Sequence, residues 1–385
     1  MSNKVAVVSI QYPPTIGGLQ AHVKGIVDII QDLGHDVHVI TSKPNPSMKI
    51  EGQVDTNVTQ LPVIKWFKDS PIINPFKIYR ALKSVNPDVV HVIHTFPLSL
   101  EVACLYAYAN NKKLVCTYIN DVILEFPYSL VFKIYESIFW RICKYMISAI
   151  SVSSHEYGRN AVGLKDWSKK IYEVPPPVFD TDFNLTLEKK YDAKKRLGLD
   201  GYDKIVLFVG GLRKRLIFKR PDLLIKAWSE YMLKSNINSV LLIIGDGLLK
   251  DNYKNISSKL GLGSNQIIFK GYIPRLELID CYLAGDVIVL PSQDNNESFG
   301  ITPVEAMLYG NAVIASDIPG IRGAIRRKNA YVSLVPPLNW KKIVDELKYW
   351  LSKDVNEYAV ENNLYVKEHF NKEKIKHEIR RMYNE

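Results

Sequence analysis

A chain of 385 residues is longer than one hydrophobic core usually supports, and at ~150 residues per domain it predicts two. With 47% hydrophobic and 23% charged residues, and no repeat or low-complexity tract, the composition excludes fibrous and disordered classes. The net charge of +10 favours an anionic partner, either a phosphorylated substrate or an acidic membrane surface; nucleic acid is set aside because no aromatic-basic module accompanies the charge.

The N-terminal MSNKVAVVSI runs straight into a strand pattern without the apolar core and small-residue cleavage site of an export signal. Candidate strands Val5 to Ile10 and Val37 to Thr41 flank a helix from Gly18 to Leu33, closed by Gly34. Further strands follow at Val89 to Ile93, Leu114 to Thr117 and Ala149 to Val152. The apolar window Val122 to Ile150 carries Glu125, Lys133, Glu136, Arg141 and Lys144, so it fails as a bilayer span. Within it Leu130, Ile134, Ile138, Ile142 and Met146 recur at helical spacing, and a core helix is the preferred reading over a membrane-surface helix.

Pro175, Pro176 and Pro177 can continue neither a sheet nor a helix interior, and a polar segment runs on to Tyr202, which predicts a domain boundary. Strand patterns then resume at Ile205 to Val209, Val240 to Ile244, Ile267 to Phe269, Val287 to Leu290 and Ala312 to Ala315. Short apolar runs alternating with helical patterns imply an α/β fold of two doubly wound parallel-sheet domains. Ligands bind beyond the carboxyl ends of such strands, so two domains facing each other make one central cleft. The expected partition is residues 1–177, with a C-terminal helix about 368–385 packing back onto them, and 178–367. Cys104, Cys116, Cys143 and Cys281 lie far apart among apolar neighbours, which points to a reducing, cytoplasmic compartment.

The densest chemistry lies in PSQDNNESFGITPVEAMLYGNAVIAS, Pro291 to Ser316. Glu297 and Glu305 flank an expected helix start near Thr302 and Pro303, where free amides and the helix dipole attract phosphate. Glu305, one turn in, is placed to accept hydrogen bonds from ribose hydroxyls, and Glu297 from a sugar hydroxyl.

This stretch resembles the donor-binding signature of family 4 retaining glycosyltransferases of the GT-B fold. VVSIQYPPTIGGLQAHV, LGHDVHVIT, PDVVHVIH, VPPPVFDTDF, VGGLRKRLIFKRPDLLIKAW, LLIIGDG and IIFKGYI resemble family segments and stand in family order. The resemblance implies transfer of a hexose from a UDP- or GDP-linked sugar to a glycan, lipid or lipid-linked acceptor, with no other cofactor and no metal. It assigns Lys219 and an arginine to the donor pyrophosphate. Gly211 stands where that arginine often falls, so Arg213 or Arg215 takes the role, and Arg220 replaces a usual glycine. It places Gly17, Gly18, Gly245, Asp246 and Gly247 near the donor, and Gly271, Tyr272 and Ile273 at the base. Ser298, Phe299, Gly300, Ile301 and Thr302 line the phosphates beside Glu297 and Glu305. In CTYINDVI, Asp121 matches a family aspartate but Ile119 stands where many members have histidine. His91 and His94, near a strand end, are candidates to line the cleft, beside the commoner alternative of a satisfied structural histidine for each. Asp180 and Asp182 form a D-x-D that falls in the linker and is read as structural.

Glu297 and Glu305 hold the donor and transfer no proton, and catalysis falls to cations and amides that stabilise the leaving diphosphate. Two other readings stand beside this one: a nucleotide-sugar epimerase, which shares the architecture, and a donor-binding protein with little transferase activity, motivated by Ile119 and Gly211. The charge and the helix from Phe132 to Met146 add a peripheral membrane location as an expectation.

Overall fold

The computed structural model describes residues 2–45, 50–52, 55–67, 70–94, 98–121, 130, 135–178, 182–325 and 331–384. Asp180 of the D-x-D and most of the window from Val122 to Ile134, with Phe132 in it, lie outside these residues. Two compact units divide the chain: Met1–Pro177 with Lys372–Glu385, and Val178–Asn371.

In the first unit the strands are β1 (Lys4–Val8), β2 (Asp36–Ser42), β3 (Val58–Leu61), β4 (Val63–Phe67), β5 (Ser70–Ile73), β6 (Val89–His94), β7 (Lys113–Tyr118), β8 (Ala149–Val152) and β9 (Ile171–Glu173). Seven pair in parallel in the order β3-β2-β1-β6-β7-β8-β9, and β4 and β5 form a separate antiparallel pair. Runs such as VVHVIH in β6 are buried throughout, as strands covered on both faces require.

The C-terminal helix Lys372–Asn384 belongs to this unit. Its buried Ile375, Ile379, Met382 and Tyr383 form one helical stripe packed with Val5, Val7 and Val37. Lys372 and Lys376 reach Asp32 at 2.6 and 3.5 Å, which pins the first turn at the end of the helix Gly18–Asp32.

The second unit holds β10 (Lys204–Val209), β11 (Ser239–Ile244), β12 (Ile267–Gly271), β13 (Val287–Leu290), β14 (Ala312–Ser316) and β15 (Val332–Val335), all parallel in the order β12-β11-β10-β13-β14-β15. Alternate side chains enter opposite cores. Leu207, Leu242 and Ile288 pack on one face, and Val206, Leu241 and Val289 on the other. Strand order reverses at β10 and β13, so a crevice is expected beyond their carboxyl ends. The two wound sheets bear out the α/β expectation.

Lys190 is buried in this unit. Its ammonium donates to the carbonyls of Gly285 (2.8 Å) and Tyr309 (3.3 Å), which follow the helices Arg275–Ala284 and Ile301–Leu308. Burial pulls its pKa down to about 8.

One expectation is corrected. The stripe divides: Leu130, Ile138 and Ile142 are at least half exposed, Met146 packs against the core and Ile134 lies outside the described residues, while Trp140, Cys143 and Ile147 point inward. The local helix, a π-turn Glu136–Trp140 leading into Arg141–Met146, is anchored by Trp140, whose indole N–H bonds to the Gly163 carbonyl. That anchor turns the neighbouring positions outward.

Candidate functional site

The second unit concentrates the chemistry beyond β10, β11 and β13. After β10 the chain turns through Gly210 and Gly211 to Arg213 and enters a short helical turn, Lys214–Lys219. The GDG segment after β11 lies against it. Gly245 has φ +140°, and a Cβ there would stand 1.9 Å from the Gly210 carbonyl oxygen; at Gly247 it would stand 2.4 Å from that of Leu212. Only glycine permits this approach. The Leu212 N–H donates to the Asp246 carbonyl at 2.9 Å, and the Leu249 N–H to Leu212, which locks the two loops together.

Lys219 ends the turn and donates to Glu297 Oε2 at 2.5 Å, with side chains 15% and 12% exposed, so the pair lies at an accessible edge. The Ser292 hydroxyl donates to the same oxygen at 3.4 Å, and the Gly300 N–H to Oε1 at 3.2 Å. The Gln293 N–H holds the Phe218 carbonyl at 2.8 Å, which ties the lysine's turn to the loop after β13. Gly320 packs on the Glu297 backbone so closely that a Cβ would lie 2.3 Å from its carbonyl oxygen.

Gly300, at φ +79°, precedes the helix Ile301–Leu308, and no side chain caps that start. Pro303 has no N–H and the Val304 N–H bonds to the Gly300 carbonyl, so the N–H groups of Ile301 and Thr302 are the first-turn amides suited to an anion. Ser298, Ile301 and Thr302 are half-buried around them, and Phe299 is buried against Phe370.

Arg213 is half-buried with no ion pair among the described residues, and Arg215 is half-buried beside it. Arg220 is different. It adopts φ +49°, the left-handed conformation that suits the glycine usual there, and its guanidinium forks onto Asp222 at 2.7 Å. That partner raises its pKa and occupies its donors. At Gly211, a Cβ would meet Leu216 Cδ1 at 2.8 Å, so a side chain there requires Leu216 to shift.

Glu305 is buried and doubly held. Arg275 Nη1 donates to Oε1 at 2.6 Å and the Tyr282 hydroxyl to Oε2 at 3.1 Å. Burial works against the Arg275 charge, but the Glu305 carboxylate outweighs it and holds the pKa above its ordinary value. Burial, reinforced by Glu305, likewise pushes the Tyr282 phenol well up and keeps it a donor. Arg275 and Tyr282 escaped sequence reasoning. Their signal is a seven-residue spacing that puts both on one face of a helix opening directly after the Gly271, Tyr272, Ile273 segment. In that segment Gly271 ends β12, Tyr272 is half-buried and Ile273 is buried. Asp246 is exposed, its carboxylate accepting from the Gly247 N–H at 2.8 Å.

In the first unit, Gly17 precedes the helix Gly18–Asp32, and no atom lies within 4 Å of a Cβ placed at Gly18. Asp121 is buried. It accepts from the Tyr118 hydroxyl at 2.6 Å and from the N–H groups of Val162 and Gly163 at 3.0 and 3.2 Å, which makes it the organiser of that loop. His91 is corrected: it lines no surface. It is fully buried, with Nδ1 at 2.8 Å from the Tyr383 hydroxyl and Nε2 at 2.7 Å from Thr117 Oγ1, and burial drives its pKa to about 3. His94 ends β6, stacked 4.7 Å from Trp140, with Nδ1 unpartnered among the described residues and a pKa lowered by burial to about 4. Ile119 packs against the core beside the first sheet.

No group of three His, Cys, Asp or Glu side chains among the described residues has metal-binding geometry. None of the described helices is long and apolar enough to cross a membrane.

Two wound parallel-sheet units define a two-domain α/β architecture. The profile described as Glycosyl transferases group 1 matches residues 189–376, and that of Glycosyltransferase Family 4 matches residues 16–180. The chain belongs to the group 1 glycosyltransferases of the GT-B fold, family 4-like. It is 26% identical to an uncharacterized glycosyltransferase of Methanocaldococcus jannaschii over 84% of this chain and 83% of that one. It is 31% identical to a D-inositol 3-phosphate glycosyltransferase of Corynebacterium aurimucosum, over 48% of this chain and 45% of that protein. Among solved structures, sucrose-phosphate synthase from Thermosynechococcus elongatus has a TM-score of 0.73 at 20% identity, covering 99% of this chain and 98% of its own. Anabaena HepE in complex with UDP and glucose has a TM-score of 0.72 at 16% identity, covering 99% of each. These likenesses carry the fold.

Proposed function

We propose that this glycosyltransferase moves a hexose from a nucleotide diphosphate sugar to a glycan, lipid or lipid-linked acceptor with retention of configuration and without a metal ion. The observation that carries the proposal is the Lys219–Glu297 pair beside the uncapped helix start at Gly300. Cleaving the bond between sugar and phosphate leaves negative charge on the diphosphate and positive charge on the ring. Lys219, Arg213, which has no ion pair among the described residues, and the N–H groups of Ile301 and Thr302 are donors suited to that diphosphate, and Glu305 is suited to the ribose hydroxyls. Arg215 adds a second cation. Glu297 balances Lys219 and offers an oxygen to a sugar hydroxyl.

In the transfer, the acceptor oxygen bonds to the anomeric carbon on the face the phosphate leaves. The acceptor's proton passes to the departing phosphate oxygen. No protein nucleophile is needed. HepE in complex with UDP-glucose supports a uridine donor as the first to try.

The test is a thermal-shift screen of nucleotide sugars in EDTA, since a ligand that binds the native state raises its stability. NMR of the product formed by the stabilising donor follows. Retained anomeric configuration supports the proposal; inversion, or transfer only with added Mg2+, overturns it. A second reading, donor binding with little transfer, is favoured by Ile119, which fills the family's histidine position with a side chain turned toward core. Donor binding with no product from any acceptor in a cell extract would establish it.

A further inference from the structure

The first unit holds a depression of about 500 Å³ between the helix Pro75–Val85 and the strands β1, β2 and β3, and none of its lining residues has a part in the sugar-transfer site. Strand alternation explains what lines it. Ala6 and Val8 of β1, Ile40 of β2 and Leu61 of β3 face the core cluster that holds Ile78, Ala81, Leu82 and Val85 of the helix. Lys4, His38 and Thr59 each stand two residues before one of those strand positions, so the same pleat turns them toward the helix and they line the depression. Three neighbouring strands thus carry polar side chains on a face that is apolar further along. The space opposite them is left open, where helix and sheet would otherwise close-pack.

From the helix come Lys77, Arg80 and Ser84, one face at spacings of three and four residues, and no acidic residue occurs in Pro75–Val85. The Lys4, Lys77 and Arg80 side chains make no hydrogen bond or ion pair among the described residues. Two carboxylates stand near Lys4: Asp88 accepts from its backbone N–H at 2.8 Å, and Asp36 is its partner across the β1–β2 ladder. Neither lines the depression, and no other described carboxylate does. His38 Nε2 lies 2.8 Å from Thr59 Oγ1. Burial lowers the His38 pKa and the Lys4 charge lowers it further, against a smaller opposing effect of Asp36. The ring therefore sits in a positive field that a bound anion would reverse.

Shape and chemistry narrow the ligand. A few hundred cubic ångströms is the size of a small-molecule site. From Lys77 to Ser84 the helix rises ~10 Å, more than one phosphate can span, so cations at both ends call for a ligand charged at more than one point. Leu61, Ala81 and Val85 offer an apolar floor for a carbon body, and Thr59 and Ser84 offer hydroxyls to its polar groups.

We propose that this depression binds a soluble phosphorylated metabolite carrying at least two negative charges, with Lys4, Lys77 and Arg80 on its phosphates. It is a second anion site, independent of the diphosphate role assigned to Lys219.

The test is titration of the full chain, with its histidines carbon-13 labelled, by inorganic pyrophosphate in EDTA. The His38 imidazole signal, identified by its loss in His38→Gln, is expected to shift saturably, and its titration midpoint to move to higher pH. Lys219→Ala is expected to give the same response, which separates this site from the one in the second unit. Lys77→Glu with Arg80→Glu, at exposed positions, is expected to weaken pyrophosphate binding roughly tenfold or more, and added salt to weaken it in wild type. Circular dichroism confirms the fold of each variant, and calorimetry on the charge-reversed variant in the Lys219→Ala background carries the test if His38→Gln unfolds. A His38 signal unmoved by millimolar pyrophosphate overturns the proposal, as does a response lost with Lys219 or a folded charge-reversed variant that binds like wild type. Displacement of pyrophosphate from His38 by phosphatidylglycerol vesicles also overturns it, since a lipid headgroup is then the occupant.

Discussion

The Tyr383 hydroxyl and Nδ1 of His91 lie 2.8 Å apart across 292 residues of sequence, inside the core of the first unit. The contact continues from His91 Nε2 to Thr117 Oγ1 and on to Ser151 Oγ, at 2.7 and 2.8 Å, crossing β6, β7 and β8. The C-terminal helix is thus hydrogen-bonded into the sheet it covers.

Tyr383→Phe keeps the ring and deletes the hydroxyl, leaving His91 Nδ1 without a partner in a dry interior. The expected loss is ~1–3 kcal/mol of stability. Urea unfolding reads it as a lower midpoint, and an unchanged midpoint would show that the bond contributes nothing.

Acid should destabilise the first unit before the second. Burial lowers the pKa values of His22, His91 and His94 to about 4, 3 and 4. As pH falls below the unfolded value of 6.5, the unfolded chain takes up protons that the native state refuses. Stability is therefore complete above pH 6.5 and declines toward pH 4 at about 1.4 kcal/mol per pH unit per histidine. The second unit has one histidine, His369. Hydrogen exchange at pH 7 and pH 5 should show loosening confined to residues 1–177 and the last helix.

Loss of Lys219 should slow transfer more than it weakens folding. Lys219→Ala is expected to cost ~100-fold to 1000-fold in kcat, the typical loss for one preorganised donor to a leaving group. Transfer at the wild-type rate would remove Lys219 from the phosphate role.

Arg275 and Glu305 should behave as a coupled pair. Either substitution alone, Arg275→Met or Glu305→Gln, weakens the donor-induced thermal shift, and the double variant loses less than the sum. A coupling of about 0.5–3 kcal/mol is expected from the cycle. Strict additivity would mean that the 2.6 Å contact is not maintained in solution.

Two glycines should respond oppositely to alanine. Gly245→Ala drives a Cβ into the Gly210 carbonyl at φ +140° and should cost at least ~2 kcal/mol. Gly18→Ala meets open space in a helical first turn, and melting should show a neutral or slightly positive change.

The sheets were legible because their strands are continuous apolar runs. Val206, Leu207 and Phe208 are buried on alternating faces, and no other element fits so short a β-branched stretch between helical patterns. The strands β3, β4, β5 and β9 were not legible: Val58–Leu61 and Ile171–Glu173 are only three or four residues long and partly exposed, so pairing with neighbours decides them. The stripe from Leu130 to Ile142 misled for a related reason. Helical periodicity reports one apolar face but not which side the fold covers, and Trp140 settled that. In the site, residues of one segment could be grouped from order alone. Arg275 could not, because its contact with Glu305 spans 30 residues and is made by the packing of two helices.

Lys190 gives that packing a common origin. One ammonium grips the terminal carbonyls of the helix that starts at Arg275 and of the helix that carries Glu305. Both rods are clamped at the same end, like the legs of a pair of dividers, so the gap at their working positions is set by a hinge on the far side. A change near Lys190 would then alter the reach of the Glu305 carboxylate while leaving every residue around it in place.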